Sequence, residues 1–201
     1  MPQPQSREPR VRARHCQEWL ALIEKSEEPW RSRFLERLAP ELRDQIESAA
    51  RVGWLPVGAH VALADTLEQT FGEMRAHAFY RHAASAWLTG PLVGPVVRAT
   101  AHLFDLTPSV LARWAPRGWD VSFKDCGELA GESHAPGHAR LIYRDLPPIC
   151  TASAAWMSSA QGSTYGVLDV IGVDAVVRLD VSAKSEGRMY VDIEWTVPSG
   201  R

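Results

Sequence analysis

Apolar residues recur three and four positions apart through most of the first 115 residues, the spacing that gathers them on one face of a helix. Trp19, Leu20 and Ile23 set such a face in 11–25, and Trp30, Phe34, Leu35 and Leu38 set another in the next segment. Pro40 opens a third helix over 41–52, with Leu42, Ile46 and Ala49 as its stripe and Glu41 and Asp44 in its acidic first turn. Trp54 to Gly58 reads as a connector, because Pro56 lacks a backbone donor and disfavours helix at Leu55. The longest pattern covers 60–88, through Val61, Leu67, Phe71, Phe79, Ala83 and Trp87, with Gly72 marking a bend. Gly90-Pro91 stops it. The stretch 92–106 then predicts a helix apolar on most of its circumference, ionisable only at Arg98, His102 and Asp105, which belongs in the middle of a fold. Thr107 as N-cap and Pro108 at the first helical position open a short helix through Trp114.

From Gly118 the period falls to two. Residues 119–126 and 139–144 alternate as strands, and 127–138 reads as a mobile, metal-free loop between them because of its Gly, His and Pro content. A small-residue helix over 149–171 follows, carrying Trp156, Met157, Tyr165 and Leu168. Val177, Leu179, Val181 and Ala183, then Met189, Val191, Ile193 and Trp195, define two strands around the Lys184–Gly187 turn, each apolar on one face and charged on the other. The expected class is α+β: an N-terminal helical region packed on a four-stranded antiparallel sheet of two hairpins with an intervening helix. The expected division is a flexible basic arm over 1–14, one domain over 15–197 (helical to 115, sheet-containing from 118) and a tail over 198–201.

Composition narrows the class of partner. The chain has 201 residues, 45% hydrophobic and 23% charged, enough for one core without a disulfide framework or structural metal. The three cysteines, Cys16, Cys126 and Cys150, are few and scattered, which fits a reducing cytoplasm. No apolar run reaches the roughly 18 residues of a membrane span, and the first residues lack the apolar stretch of a signal peptide, so neither a span nor export is expected. Residues 1–14 carry four Arg against one Glu, whereas 120–201 carry seven basic against eleven acidic groups. A globular part this acidic offers no phosphate-binding face, and nucleic acid is not an expected partner.

Dinucleotide, phosphate-loop, zincin and Cys-x-x-Cys motifs are missing from the sequence. Gly162-Ser163-Thr164-Tyr165-Gly166 has the letters of a nucleophile elbow but not the strand that must precede one, and reads as close packing. Cys126, His134 and His138 form a possible zinc set, with incidental histidines on a loop as the bland reading. His77 and His82, five apart, fall on different helix faces. His102 is either a core histidine or an axial ligand to haem. Trp87, Trp114, Trp119 and Trp156, in four successive elements, either line one cavity or fill it; with Phe79, His102 and Tyr143 they are the candidate ligand-pocket residues.

The order of helices, hairpin, helix and hairpin, with Trp54-Leu55-Pro56, the run from Leu106 to Leu111, Trp114, Trp119, Cys126-Gly127 and the segment from Tyr143 to Pro148, resembles one superfamily. It contains the haem nitric-oxide/oxygen-binding domains, the four-vinyl-reductase-type small-molecule-binding domains and the Bet3-like subunits of the TRAPP tethering complex. More narrowly, the chain resembles a myxobacterial family of proteins of similar length. The resemblance places His102 where haem-binding relatives keep a histidine. Their Tyr-x-Ser-x-Arg strand, which holds the haem carboxylates, is matched neither by Val121-Ser122-Phe123-Lys124 nor by Leu141-Ile142-Tyr143-Arg144. Near the site where vinyl-reductase-type relatives hold zinc, only Cys150 is present. The resulting expectation is a cytoplasmic, non-catalytic ligand-binding or sensor domain with no cofactor and an apolar aromatic pocket between helices and sheet. It would act as a homodimer or with a protein partner. The alternatives are an interaction scaffold with a filled core and a gas sensor holding haem through His102.

Overall fold

The computed structural model describes residues 7–90 and 107–197, the side chain of His134 aside. The predicted helix over 92–106, His102 included, lies outside the described residues, as do 1–6 and the tail. Helices α1 (Ala13–Glu24), α2 (Trp30–Arg37) and α3 (Pro40–Ser48) come first, each burying the expected stripe: Trp19, Leu20 and Ile23, then Phe34, then Ile46. The long helical pattern is two helices, α4 (Val57–Phe71) and α5 (Glu73–Thr89). Gly72 separates them at φ +77°, a left-handed conformation that glycine adopts without a Cβ clash.

Two expectations near the N-terminus are corrected. Arg10–Arg12 is a strand, β1, rather than part of a flexible arm, and the connector Trp54–Pro56 is its partner β2. The third strand of this small sheet is β3 (Phe123–Lys124), on the other side of β1. Val11 is fully buried there, which is why a short, arginine-rich segment is held down.

The strand expected over 119–126 is also corrected. A helix, α6 (Pro108–Ser122), runs through most of it, capped by Thr107, whose hydroxyl accepts from the Val110 amide. Its buried residues Ala112, Trp119 and Ser122 fall at helical spacing, and that burial overrides the local alternation. The true first strand of the hairpin is β4 (Glu128–Ala135), in the segment expected to be a mobile loop; it pairs with β5 (His138–Arg144). β4 carries few apolar residues and earns its conformation from its neighbours. Gly131 lets α6 lie almost on the strand, since a Cβ there would sit 1.8 Å from the Ala112 carbonyl oxygen.

A short helix α7 (Pro148–Ala152) leads into α8 (Ala154–Val170), and β6 (Ala175–Asp180) and β7 (Met189–Trp195) close the chain. The main sheet has the order β4-β5-β7-β6, antiparallel throughout, so the two hairpins join at the β5–β7 pair. Val177, Met189, Val191 and Ile193 are buried on one face, with Arg178 and Glu194 exposed on the other. The protein is thus α+β, its helices lying on one side of a four-stranded antiparallel sheet. Gly162-Ser163-Thr164-Tyr165-Gly166 sits inside α8, where a Cβ on Gly166 would meet the Arg81 carbonyl oxygen of α5 at 2.1 Å. These glycines serve helix contact.

Candidate functional site

Between the helices and the sheet lies a cavity of about 520 Å³, within the size range of small-molecule sites. α1 contributes His15 and Trp19, α4 His60, α5 Trp87, α6 Trp119, β3 Phe123, β5 Leu141 and Tyr143, and α8 Trp156. Ala83, Ala84, Ala160 and Ser163 line it as well, and small side chains on two packed helices are what leave the space open. Arg14, Glu18, Lys25 and Arg51 also line it; Arg14 and Arg51 share Glu18, at 2.6 and 3.7 Å.

The aromatic walls are locked by ring contacts. Trp119 stacks on Phe123 with centroids 4.2 Å apart and meets Tyr143 edge-on at 5.3 Å and Trp156 at 6.4 Å. The Trp119 indole N–H donates to the Gly127 carbonyl at 3.2 Å, which fixes its ring. His15 packs against Trp87 and Phe123, each at 6.1 Å and near-parallel, with Nε2 2.9 Å from Ser122 Oγ. His60 lies 4.3 Å from Trp19 and 6.4 Å from His15, centroid to centroid.

A chain of hydrogen bonds sets Trp156 and, through it, His60. Ser153 caps α8: its hydroxyl accepts from the Trp156 amide at 2.9 Å and donates to the Asp65 carboxylate of α4 at 2.5 Å. The Trp156 indole N–H then donates to His60 Nδ1 at 3.1 Å. An indole nitrogen only donates, so Nδ1 is the unprotonated nitrogen of this imidazole. Burial, aided by neighbouring His15, pushes His60 down to about 3, and burial also lowers His15. His60 is therefore a neutral ring whose proton sits on Nε2.

Of the residues singled out in the sequence, Trp87, Trp119, Tyr143 and Trp156 border this cavity together. Trp114 does not: it stands 57% exposed on the outer side of α6, under the Arg117 guanidinium at 4.1 Å. Phe79 packs edge-on against Trp19 at 5.8 Å, behind the cavity wall. Cys126 and His138 belong to opposite ends of the β4–β5 hairpin. Cys126 Sγ lies 3.9 Å from Cys150 Sγ, and His138 faces Asp192 at 3.4 Å. Among the described residues, no three His, Cys, Asp or Glu side chains gather as a metal site, and no helix is long and apolar enough to cross a membrane.

As cavity residues, His15, Trp19, His60 and Phe123 were not singled out from the sequence. One signal for His60 was available: it lies three before Leu63 and seven before Leu67, on the buried stripe of α4, where a polar residue calls for a partner.

No protein-family model matches the chain, and no curated protein matches it. Solved structures do. An Fe(II) unliganded H-NOX protein from K. algicida aligns with TM-score 0.60 at 11% identity, over 95% of this chain and 100% of that one. The H-NOX from Shewanella woodyi, in the Fe(II)CO ligation state with IWP-051 bound, aligns with TM-score 0.58 at 14% identity, over 94% and 96%. A structure from work on heme distortion in the H-NOX family gives TM-score 0.61 at 8% identity, over 95% and 98%. The expectation of no cofactor is corrected by these neighbours, which are described by their iron ligation state or their heme. At such identities the likeness speaks for architecture alone, and the architecture of this chain is that of the H-NOX domains.

Proposed function

We propose that this chain is a non-catalytic sensor domain that holds an apolar, planar small molecule in the aromatic cavity, with haem the first candidate. The observation that carries the reading is the cavity itself: about 520 Å³ of space walled by stacked aromatic rings at the meeting of helices and sheet. A filled-core scaffold would leave no such volume, so the cavity favours the ligand-binding reading over that alternative. The candidates Trp87, Trp119, Tyr143 and Trp156 are the walls in this proposal; Trp114 and Phe79 are not.

The residues present fit a porphyrin in two respects. Its apolar body matches the rings of Trp119, Phe123 and Trp156, and its carboxylates would find cations in Arg14, Lys25 and Arg51. His60 is unsuited to ligate iron while Trp156 holds its Nδ1, because its second nitrogen carries the proton. His15 keeps a nitrogen without a partner among the described residues when Nε2 donates to Ser122, and is the imidazole here that could serve. Bound haem would supply an iron centre able to take up a diatomic gas. What the protein contributes is an aromatic-walled pocket and neutral imidazoles.

The test is reconstitution with hemin, read by the Soret band, on the wild type and on Ser163→Trp, whose indole would occupy the cavity. The expected result is stoichiometric uptake by the wild type and loss of it in the variant. Uptake unchanged by Ser163→Trp in a folded variant would remove the cavity as the site.

A further inference from the structure

Three polar groups of residues bordering the cavity have no hydrogen-bond partner among the described residues. They are His60 Nε2–H, the indole N–H of Trp19 and the hydroxyl of Tyr143, in residues only 5, 7 and 5% exposed. Among the described residues, the one fully enclosed side-chain nitrogen or oxygen lacking a partner is Arg10 Nε. None of the three is such an atom, and each belongs to a residue that lines the cavity. Their chemistry is one-sided. An indole N–H cannot accept, and the Trp156 bond to Nδ1 makes His60 a donor as well. The His60 and Trp19 rings are neighbours, 4.3 Å apart between centroids, so two rings that carry obligate donors lie side by side at the cavity. The Tyr143 hydroxyl serves in either sense and adds a third donor where one is wanted.

His60 itself is neutral, and of the three cations lining the cavity Arg14 and Arg51 pair with Glu18, with Lys25 the third. A buried donor without a partner is costly, and a ligand that supplies an acceptor recovers that cost, whereas one that supplies a second donor or bare hydrocarbon does not.

We propose that His60, set as an Nε2–H donor by Trp156 and seconded by Trp19, selects ligands that present a hydrogen-bond acceptor, a carbonyl oxygen, carboxylate or ring nitrogen, on an otherwise apolar planar body. The proposal deepens the reading of the cavity as a ligand site and rests on it. His60 acts as a specificity residue, and Ser153, Asp65 and Trp156 are the positioning residues that hold its tautomer.

Three bicyclic probes of nearly equal shape separate the possibilities: naphthalene, with no polar atom; quinoline, with an acceptor nitrogen; and indole, with a donor N–H. Their affinities are measured by titration calorimetry on the haem-free full chain and on His60→Phe, which keeps an aromatic ring and removes the donor. The wild type is expected to bind quinoline about tenfold more tightly than naphthalene, the scale of one well-placed hydrogen bond, and indole no better than naphthalene. In His60→Phe the quinoline preference should shrink while naphthalene binding persists. Equal binding of naphthalene and quinoline by the wild type, or an undiminished preference in His60→Phe, overturns the proposal and leaves the cavity reading intact. Binding of none of the three overturns both. Should His60→Phe fail to fold, long-range nitrogen–proton NMR of the wild-type ring decides. A protonated Nε2 that shifts with quinoline and not with naphthalene supports the proposal, and a protonated Nδ1 refutes it.

Discussion

At the scale of the residue, His60 and His15 join the acid stability of the protein to its cavity. Burial holds His60 down to about 3 and lowers His15 as well, so both are neutral in the folded state near neutral pH. In the unfolded chain each returns to about 6.5. Below that value the unfolded state takes up protons that the folded state refuses. For His60 the effect is thus absent above pH about 6.5 and grows as a loss of stability as the pH falls toward 3, by up to about 1.4 kcal/mol per pH unit, and the lowering of His15 adds a loss of the same sign. Urea unfolding between pH 7.5 and 5 should show a steeper acid loss in the wild type than in His60→Phe. Parallel profiles would mean that His60 is protonated in the folded protein. None of this was legible in the sequence beyond the position of His60 on a buried stripe. Its meaning depends on Trp156, 96 residues away, and a contact of that separation leaves no local pattern.

At the scale of the element, the sequence was read well where burial repeats along the segment and poorly where a neighbour dictates the conformation. α1 to α5 and the β6–β7 hairpin carry their own periodicity. β4 does not: its backbone is extended because β5 pairs with it and α6 lies across it, and Gly131 is the residue that permits that approach. Trp119, Val121 and Phe123 alternate as a strand would, yet α6 continues to Ser122, because Ala112 and Trp119 are the pair that reaches the core. Glycine substitutions test this account. Gly131→Ala and Gly166→Ala would place a Cβ 1.8 and 2.1 Å from the backbone oxygens of Ala112 and Arg81, so the helices must move. Each should lower stability by about 1–3 kcal/mol, as overpacking does. Gly118→Ala, inside α6 with nothing within 4 Å of the new Cβ, should instead raise it by about 0.5–1 kcal/mol. Chemical denaturation of the three variants checks the order, and equal effects at all three positions would discredit the close approaches.

At the scale of the whole molecule, the cavity is a standing deficit of packing. Helices α1, α5, α6 and α8 and the sheet surround about 520 Å³ where a core of this size could have closed, and the walls lose the contacts that filling atoms would supply. Two routes restore them, and they exclude each other. A ligand that enters binds the folded state alone; at about 100 times its dissociation constant it adds about 2.7 kcal/mol and raises the melting temperature by roughly 5–10 °C for a chain of this length. A side chain grown into the space does the same from within. Ser163→Trp, projecting from α8 where Ala83 and Ala84 of α5 leave room, should therefore melt higher than the wild type without ligand and show no further rise with hemin. The wild type should show the reverse, a lower melting temperature and a large shift. If hemin shifts both proteins equally, its site is elsewhere on the surface. If Ser163→Trp is destabilised, with near-ultraviolet circular dichroism showing lost packing, the space is smaller in solution and the walls close on each other.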